Sequence, residues 1–165
     1  MDMRFTKPRR LEDGETLDDF CSGVEVVDDW ARNRAPYAKK RGSAIVYVSF
    51  AATEEKSVAG FYSLTSHSIT RSSVDGGWLK RNAPSSIPVF LLGMLGVNQQ
   101  YQGTGLGSML LRDAVVRSLS AAGTVGAKAL VVDPADEGVQ GFYLHYGFLE
   151  IPGMDTMYIP LKLPE

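Results

Sequence analysis

The stretch FLLGMLGVNQQYQGTGLGS, Phe90–Ser108, decides the fold. Its first half is apolar and belongs to a buried strand read over Val89–Val97, in which Gly93 and Gly96 are unusual, because glycine weakens a strand and marks a bulge or a close backbone approach. Its second half carries Gly103, Gly105 and Gly107 and opens a helix predicted over Thr104–Ala122. Leu106, Leu110, Leu111, Ala114, Val115, Leu119 and Ala122 form that helix's apolar stripe, and Gly123 is its expected stop. Glycines leave successive N–H groups unobstructed. A helix N-terminus adds unpaired donors and the positive end of the dipole. A phosphate-bearing ligand is therefore the first expectation.

Outward from this stretch, Ala129–Val132 is a continuous apolar run, as in a strand covered on both faces. Strand, helix and strand form a βαβ unit, so the two strands should be parallel. A second helix is read over Asp136–Tyr146, with Val139, Phe142, Tyr143 and Tyr146 on one face and Gly147 after it. Two last strands, Phe148–Ile151 and Thr156–Leu163, flank a Pro152-Gly153 turn. Upstream, Met3–Lys7 reads as a short edge strand. Leu17–Ala38 reads as mostly helical, with Gly23 and Pro36 as points of interruption. Ser43–Ala52 and Ser57–Ile69 read as a hairpin around Glu54-Glu55-Lys56. Ser72–Ser86 is a polar connection with one helical turn near Trp78–Arg81. The order is β-α-β-β-β-α-β-α-β-β, an α/β fold with a mixed sheet and helices on both sides.

The 165 residues suit one domain, and 44% hydrophobic with 22% charged content is ordinary for a globular chain. No apolar run is long enough to cross a membrane, no secretory h-region is visible, and the single Cys21 excludes an internal disulfide. These features predict a cytoplasmic protein without membrane association. The net charge is −2, with 13 Lys/Arg against 12 Asp/Glu in residues 1–90 and 4 against 7 in residues 91–165. That balance excludes a globally basic nucleic-acid binder. Local basic groups remain, among them Lys39, Lys40 and Arg41, and Lys80 with Arg81.

Three phosphate-binding patterns compete for the glycine turn. A P-loop needs Lys and Ser/Thr after the last glycine, where Leu106-Gly107-Ser108 stands. A Rossmann fingerprint needs a third glycine where Ser108 stands, and Asp133 lies too far along to serve as its acidic partner. The third pattern, Gln/Arg-x-x-Gly-x-Gly/Ala, is matched by Gln102, Gly105 and Gly107. It resembles the pyrophosphate loop of the GNAT acetyltransferases. Phe142-Tyr143-Leu144-His145-Tyr146-Gly147-Phe148 resembles the FYxxxGF segment of the same family and stands about 40 residues beyond the loop, where that family places it.

The resemblance implies a single GNAT domain over residues 1–165, with a mixed, splayed sheet. It implies acetyl-CoA as cofactor, held by backbone groups of Leu95 and Val97 along its pantetheine arm and by Gln102, Gly103, Thr104, Gly105, Leu106, Gly107 and Ser108 at its pyrophosphate. It implies that Tyr143, the position matching the family's tyrosine, protonates the departing thiolate, and a strand N–H is expected to steady the developing oxyanion. A phenol with pKa near 10 is a reasonable donor to a thiolate of similar basicity.

Phe20-Cys21-Ser22-Gly23, Trp30, Ala35, Gly60–Leu64, Lys80–Pro84 and Ile87-Pro88-Val89 extend the resemblance to the GNAT-type toxins of bacterial toxin–antitoxin systems. Those toxins acetylate the amino group of aminoacyl-tRNA, are neutralised by ribbon-helix-helix antitoxins, and are often homodimers. Lys39, Lys40, Arg41, Lys80 and Arg81 are the residues expected at an acceptor stem. The chain departs from the pattern in two respects: Met94 stands where an Arg is common, and the chain is slightly acidic. An acetyltransferase for a small-molecule or protein amine, and a non-catalytic acyl-CoA-binding module, remain the alternatives. Phe90–Val97 contains no acid to act as general base. A lysine amine with pKa about 10.4 needs one, whereas an α-amino group near 7.7–8.0 is already substantially neutral. That favours an α-amine acceptor. Cys21 reads as a small buried apolar group, and His67 and His145 as structural or surface residues. Asp133 reads equally as a cofactor or acceptor contact and as a helix cap.

Overall fold

The computed structural model describes residues 4–162, with the backbone alone described at 54–56. Seven strands and four helices occur among the described residues: β1 Arg9–Arg10, α1 Glu25–Asn33, α2 Ala35–Arg41, β2 Ile45–Ala51, β3 Glu54–Thr70, β4 Ser86–Val97, α3 Leu106–Val125, β5 Ala129–Val132, α4 Glu137–His145, β6 Leu149–Glu150 and β7 Met157–Pro160. The sheet runs β1-β2-β3-β4-β5-β7-β6. Its β4–β5 pair is parallel, Val89–Leu91 against Ala129–Val131, and β1–β2, β2–β3, β5–β7 and β6–β7 are antiparallel. This is the expected mixed α/β arrangement. The chain divides into two compact units, one holding the described residues up to Thr65 with Gly93–Ala114, the other Ser66–Leu92 and the described residues from Val115 on.

In the first unit, Leu17, Phe20, Ala31, Ala35, Ala38, Val48 and Phe61 are buried together. Phe20 meets Phe61 edge-on at 5.0 Å, and Trp30 stacks on it at 6.0 Å. The predicted Leu17–Ala38 helix is shorter and double. Gly23, at φ +89°, cannot continue a helix, and α1 begins two residues later. Arg34 joins α1 to α2, and Pro36 occupies the first turn of α2, where a missing N–H costs nothing. Pro36 therefore sits in a helix start rather than at a kink. The hairpin turn lies at Ala52-Thr53, since β3 already begins at Glu54. Of the predicted Met3–Lys7 strand, Met3 lies outside the described residues and Phe5 makes an isolated bridge to Ala51. The strand proper lies beyond Pro8.

The glycines of β4 answer to packing. A Cβ on Gly96 would stand 2.7 Å from Val27 Cγ1 and 3.1 Å from Phe20 and Phe61 carbons, and one on Gly93 would stand 3.0 Å from Ser63 Oγ. Along β4, burial alternates through Ile87 and Val89, then shifts by one residue to Leu92 and Gly96. One extra residue in a strand produces such a slip.

In the second unit, Ile69, Val74, Leu79, Ile87, Val89, Ala129, Val131, Ile151 and Tyr158 form the core. The Ser72–Ser86 connection is anchored by Lys128, whose ammonium donates to the carbonyls of Trp78, Leu79 and Arg81 at 2.7–3.0 Å and lies 4.7 Å over the Trp78 ring. The expected turn at Trp78–Arg81 is present, and a one-turn 3-10 helix at Arg71–Ser73 precedes it. Asp136 caps α4 by accepting from Val139 N at 2.9 Å, and Gly147, at φ +92°, follows its end. The last strand is shorter than Thr156–Leu163, of which Leu163 lies outside the described residues.

Candidate active site

The glycine bend and Tyr143 belong to different units and are built separately. In the first unit, Asn98 follows β4 and its N–H donates to Ala59 O of β3 at 2.7 Å; Met94 N–H donates to Ser63 Oγ at 3.0 Å. Amides of alternate residues point to the same strand edge. Leu95 and Val97, both half-buried, therefore direct their N–H groups to the edge of β4 turned away from β3. The Val97 carbonyl accepts from Gln102 Nε2 at 3.1 Å. Leu95 N–H and Val97 N–H thus lie on the strand edge where the pantetheine arm was expected.

A 3-10 turn over Gln99–Tyr101 leads into the bend, and the Thr104 hydroxyl donates back to Tyr101 O. Gly103 and Gly105 take φ +77° and +91°, the left-handed region that glycine enters without penalty. A Cβ on either would meet no atom within 4 Å. The positive φ of Gly105 keeps Thr104 out of the helix, so α3 starts at Leu106, with Met109 N donating to Gly105 O at 3.1 Å as its first bond. The first-turn amides of Leu106, Gly107 and Ser108 precede that bond, and by helix geometry they have no i−4 carbonyl within the helix. Leu106 is buried and, with Leu110, lies where a Gly60 side chain would be. This packing fixes the helix start against β3. At the far end α3 continues through Gly123 to Val125. An internal glycine costs a helix only about 1 kcal/mol, and the left-handed stop falls on Gly126 at φ +76°.

Gln102 was expected to meet the phosphates through its backbone amide, which here donates to Gln99 O at 3.4 Å, while its side chain donates to Ser22 O at 2.8 Å as well as to Val97 O. The fit to a diphosphate thus rests on the backbone: an open bend with no Cβ to fill it, ending on a helix N-terminus. Those features suit the pyrophosphate of acetyl-CoA.

In the second unit, Tyr143 of α4 is 7% exposed, with its ring 5.3 Å from those of Phe142 and Phe148. Its hydroxyl makes no hydrogen bond to another described residue. Burial pushes the phenol up from 10.0 to about 12. Against the ordinary phenol value near 10, the buried setting makes this a weaker acid. The rest of its presumed face is only partly covered, with Val139 36% and Tyr146 42% exposed.

Lys39, Lys40 and Arg41 are exposed in the last turn of α2, where positive charge complements the dipole, and Arg41 lies 5.5 Å over the Tyr37 ring. Lys39 and Lys40 border a 640 Å³ cleft that Arg10 and Tyr37 also line. Lys80, by contrast, is half-buried and its ammonium donates to Val74 O at 2.8 Å, so it serves the fold. Arg81 is exposed, beside Trp78 and Asn82. Asp133 accepts from Thr156 Oγ1 at 2.6 Å and caps no helix. Cys21 is partly buried, with Sγ 3.6 Å from Gln99 Oε1. Met94 packs half-buried against the first unit's core.

Sequence reasoning missed Asp28 and Arg32. The Asp28 carboxylate, 7% exposed, accepts from Ser22 N at 2.7 Å, Ser22 Oγ at 2.8 Å and Gly23 N at 3.2 Å. Burial alone would raise its pKa, but the hydrogen bonds from Ser22 and Gly23 outweigh it and hold the carboxyl below the ordinary value. Arg32 donates twice to Phe20 O, at 3.1 and 2.7 Å. No motif marks either residue.

A protein of Mycobacterium tuberculosis named "tRNA-acetylating toxin" is 35% identical over 161 residues, 98% of this chain and 94% of the relative. "Probable toxin TacT" of Sinorhizobium fredii is 31% identical over 153 residues, 86% of this chain and 82% of the relative. The structure of AtaT complexed with acetyl-methionyl-tRNAfMet shares the fold, with TM-score 0.84 and 24% identity over 94% of each chain. The profile of the Acetyltransferase (GNAT) family matches residues 15–148, a span that contains both the bend and Tyr143, and the chain belongs to that family.

Proposed function

We propose that this protein is an acetyl-CoA-dependent N-acetyltransferase that acetylates the α-amino group of aminoacyl-tRNA, and that it acts as a cytoplasmic toxin blocking translation. The observation that carries the reading is the likeness, along 98% of the chain, to a relative named for tRNA acetylation. Among the described residues no helix is long and apolar enough to cross a membrane.

On this reading residues 1–165 work as one domain, and acetyl-CoA supplies the acetyl thioester. Gly103, Thr104, Gly105, Leu106, Gly107 and Ser108 bind its pyrophosphate through backbone N–H groups. Gln102 holds that bend in place, and the Leu95 and Val97 amides bind the pantetheine arm. A strand N–H also stabilises negative charge as it develops on the carbonyl oxygen. Tyr143 donates its phenolic proton toward the sulfur as the carbon–sulfur bond breaks. Lys39, Lys40, Arg41 and Arg81 contact acceptor phosphates. Lys80 supports them from within the fold. A ribbon-helix-helix antitoxin is the proposed neutralising partner, and homodimerisation accompanies the reading.

The test is incubation with labelled acetyl-CoA and total charged tRNA, followed by identification of the labelled species. Label on the α-amine of aminoacyl-tRNA is the expected result. Label on polyamines or peptides with none on charged tRNA would replace this acceptor by the small-amine alternative.

A further inference from the structure

Open space lies where side chains at Gly103 and Gly105 would stand, so the placement of the bend depends on what holds the turn that precedes it. That turn is held by the irregular segment Phe20–Gly23. Its Cys21 carbonyl accepts from Gln99 N at 2.8 Å, and its Ser22 carbonyl accepts from Gln102 Nε2 at 2.8 Å. Gly23 presses so closely on the same turn that an added Cβ would stand 2.5 Å from Gln99 Nε2. The other side of the segment is clasped by α1. Three hydrogen bonds run to the Asp28 carboxylate and two from the Arg32 guanidinium to Phe20 O. The segment is a strap, with α1 holding one side and the bend hung from the other.

We propose that Asp28 is a positioning residue for the acetyl-CoA loop: by holding the Phe20–Gly23 strap against Gln99 and Gln102, it sets the placement of amides it never touches. The proposal rests on the reading that the bend binds the cofactor's pyrophosphate. Charge is the reason an aspartate is needed. All three groups it receives are donors, so a carboxylate accepts from each of them, whereas the amide of Asn would turn a donor toward one of them.

Calorimetric titration with coenzyme A tests this on wild type, Asp28→Asn, Gln102→Met and the double variant, with steady-state kinetics alongside. Each single substitution should raise Kd about tenfold, the loss of one charge-assisted or well-placed hydrogen bond. Because Asp28 and Gln102 act through one strap, the double variant should also lose about tenfold rather than the product of the two losses. KM for acetyl-CoA should rise with kcat unchanged. A merely structural role would lower the active fraction, and so kcat, leaving Kd and KM where they were. Asp28→Asn that is folded and binds coenzyme A like wild type overturns the proposal, as do losses that multiply. Wild type that gives no binding heat and no saturation defeats the cofactor reading itself, a separate outcome.

Discussion

Replacing Tyr143 by Phe removes one oxygen and little else. The ring packing with Phe142 and Phe148 persists, and no described residue loses a hydrogen-bond partner. At neutral pH the variant should therefore fold and bind coenzyme A like wild type. Its kcat for acetyl transfer should fall by about 10²–10⁴, the usual worth of a positioned general acid, which corresponds to roughly 2.7–5.4 kcal/mol in the barrier. The raised pKa supplies an independent signature. A neutral phenol is favoured in the fold, where its pKa is about 12 against 10.0 unfolded. The stability this contributes is complete below pH 10 and is lost as pH rises through the folded value. Two pH units correspond to about 2.7 kcal/mol. Urea titrations at pH 9 and at the highest pH the fold survives should show wild type losing stability that Tyr143→Phe keeps. A variant retaining kcat within about threefold, against the 10²–10⁴ of a working acid, would refute the catalytic role. Equal alkaline loss in both proteins would refute the buried phenol.

Gly96→Ala should cost about 1–3 kcal/mol of stability, read from the urea midpoint, because its methyl would meet Val27, Phe20 and Phe61 in a closed core. Gly105→Ala forces an L-residue to φ +91° at about 1–2 kcal/mol and places a methyl in the open bend, so Kd for coenzyme A should rise more than the melting temperature falls. Lys39→Glu with Lys40→Glu should lower kcat/KM for charged tRNA and flatten its salt dependence by roughly one logarithmic slope unit for each phosphate no longer neutralised, with coenzyme A binding unchanged. The Asp28 carboxyl titrates below its ordinary value, so its contribution is present above about pH 3.9 and is lost as pH falls through the folded pKa. Acid titration should therefore cost wild type stability that Asp28→Asn no longer has to lose.

What the sequence made legible was local. Val132 ends β5 where the apolar run ends, and Gly147 follows α4 because a left-handed residue is needed there. The bend could be read because its glycines, Gly103, Gly105 and Gly107, lie close together in the chain. The strap could not be read. Phe20 and Val24 fall at helical spacing, yet Gly23 takes a positive φ, and the groups that reward this lie at Asp28 and, some eighty residues on, at Gln102. Gln102 matched the motif by identity, but its side-chain partners, Ser22 O and Val97 O, depend on tertiary placement. Lys80 looked like surface charge because sequence does not show that Val74 O waits six residues back. In the same way, Gly96 reads as a weak point of its strand until Val27, Phe20 and Phe61 appear over it.

The buried phenol and the missing base explain one another. With a pKa of about 12, Tyr143 cannot simply surrender its proton to a thiolate. A thiol titrates near 8.5, and full transfer from the tyrosine would be uphill by roughly 3.5 pH units, about 4.8 kcal/mol. The reaction as a whole needs no net acid, however. Forming the nitrogen–carbon bond leaves the attacking nitrogen with one proton too many, and breaking the carbon–sulfur bond leaves the sulfur one short. Tyr143 can give its proton to sulfur while it regains one originating on nitrogen, ending neutral as it began. An α-amine with pKa near 7.7–8.0 has a substantial uncharged fraction near neutral pH without help, so no carboxylate is required of Phe90–Val97, and none is present. A lysine side chain would arrive carrying one more proton, which the relay has nowhere to place. On the proposed mechanism, an α-amine with its substantial uncharged fraction therefore suits this phenol and this base-free strand better than a lysine does.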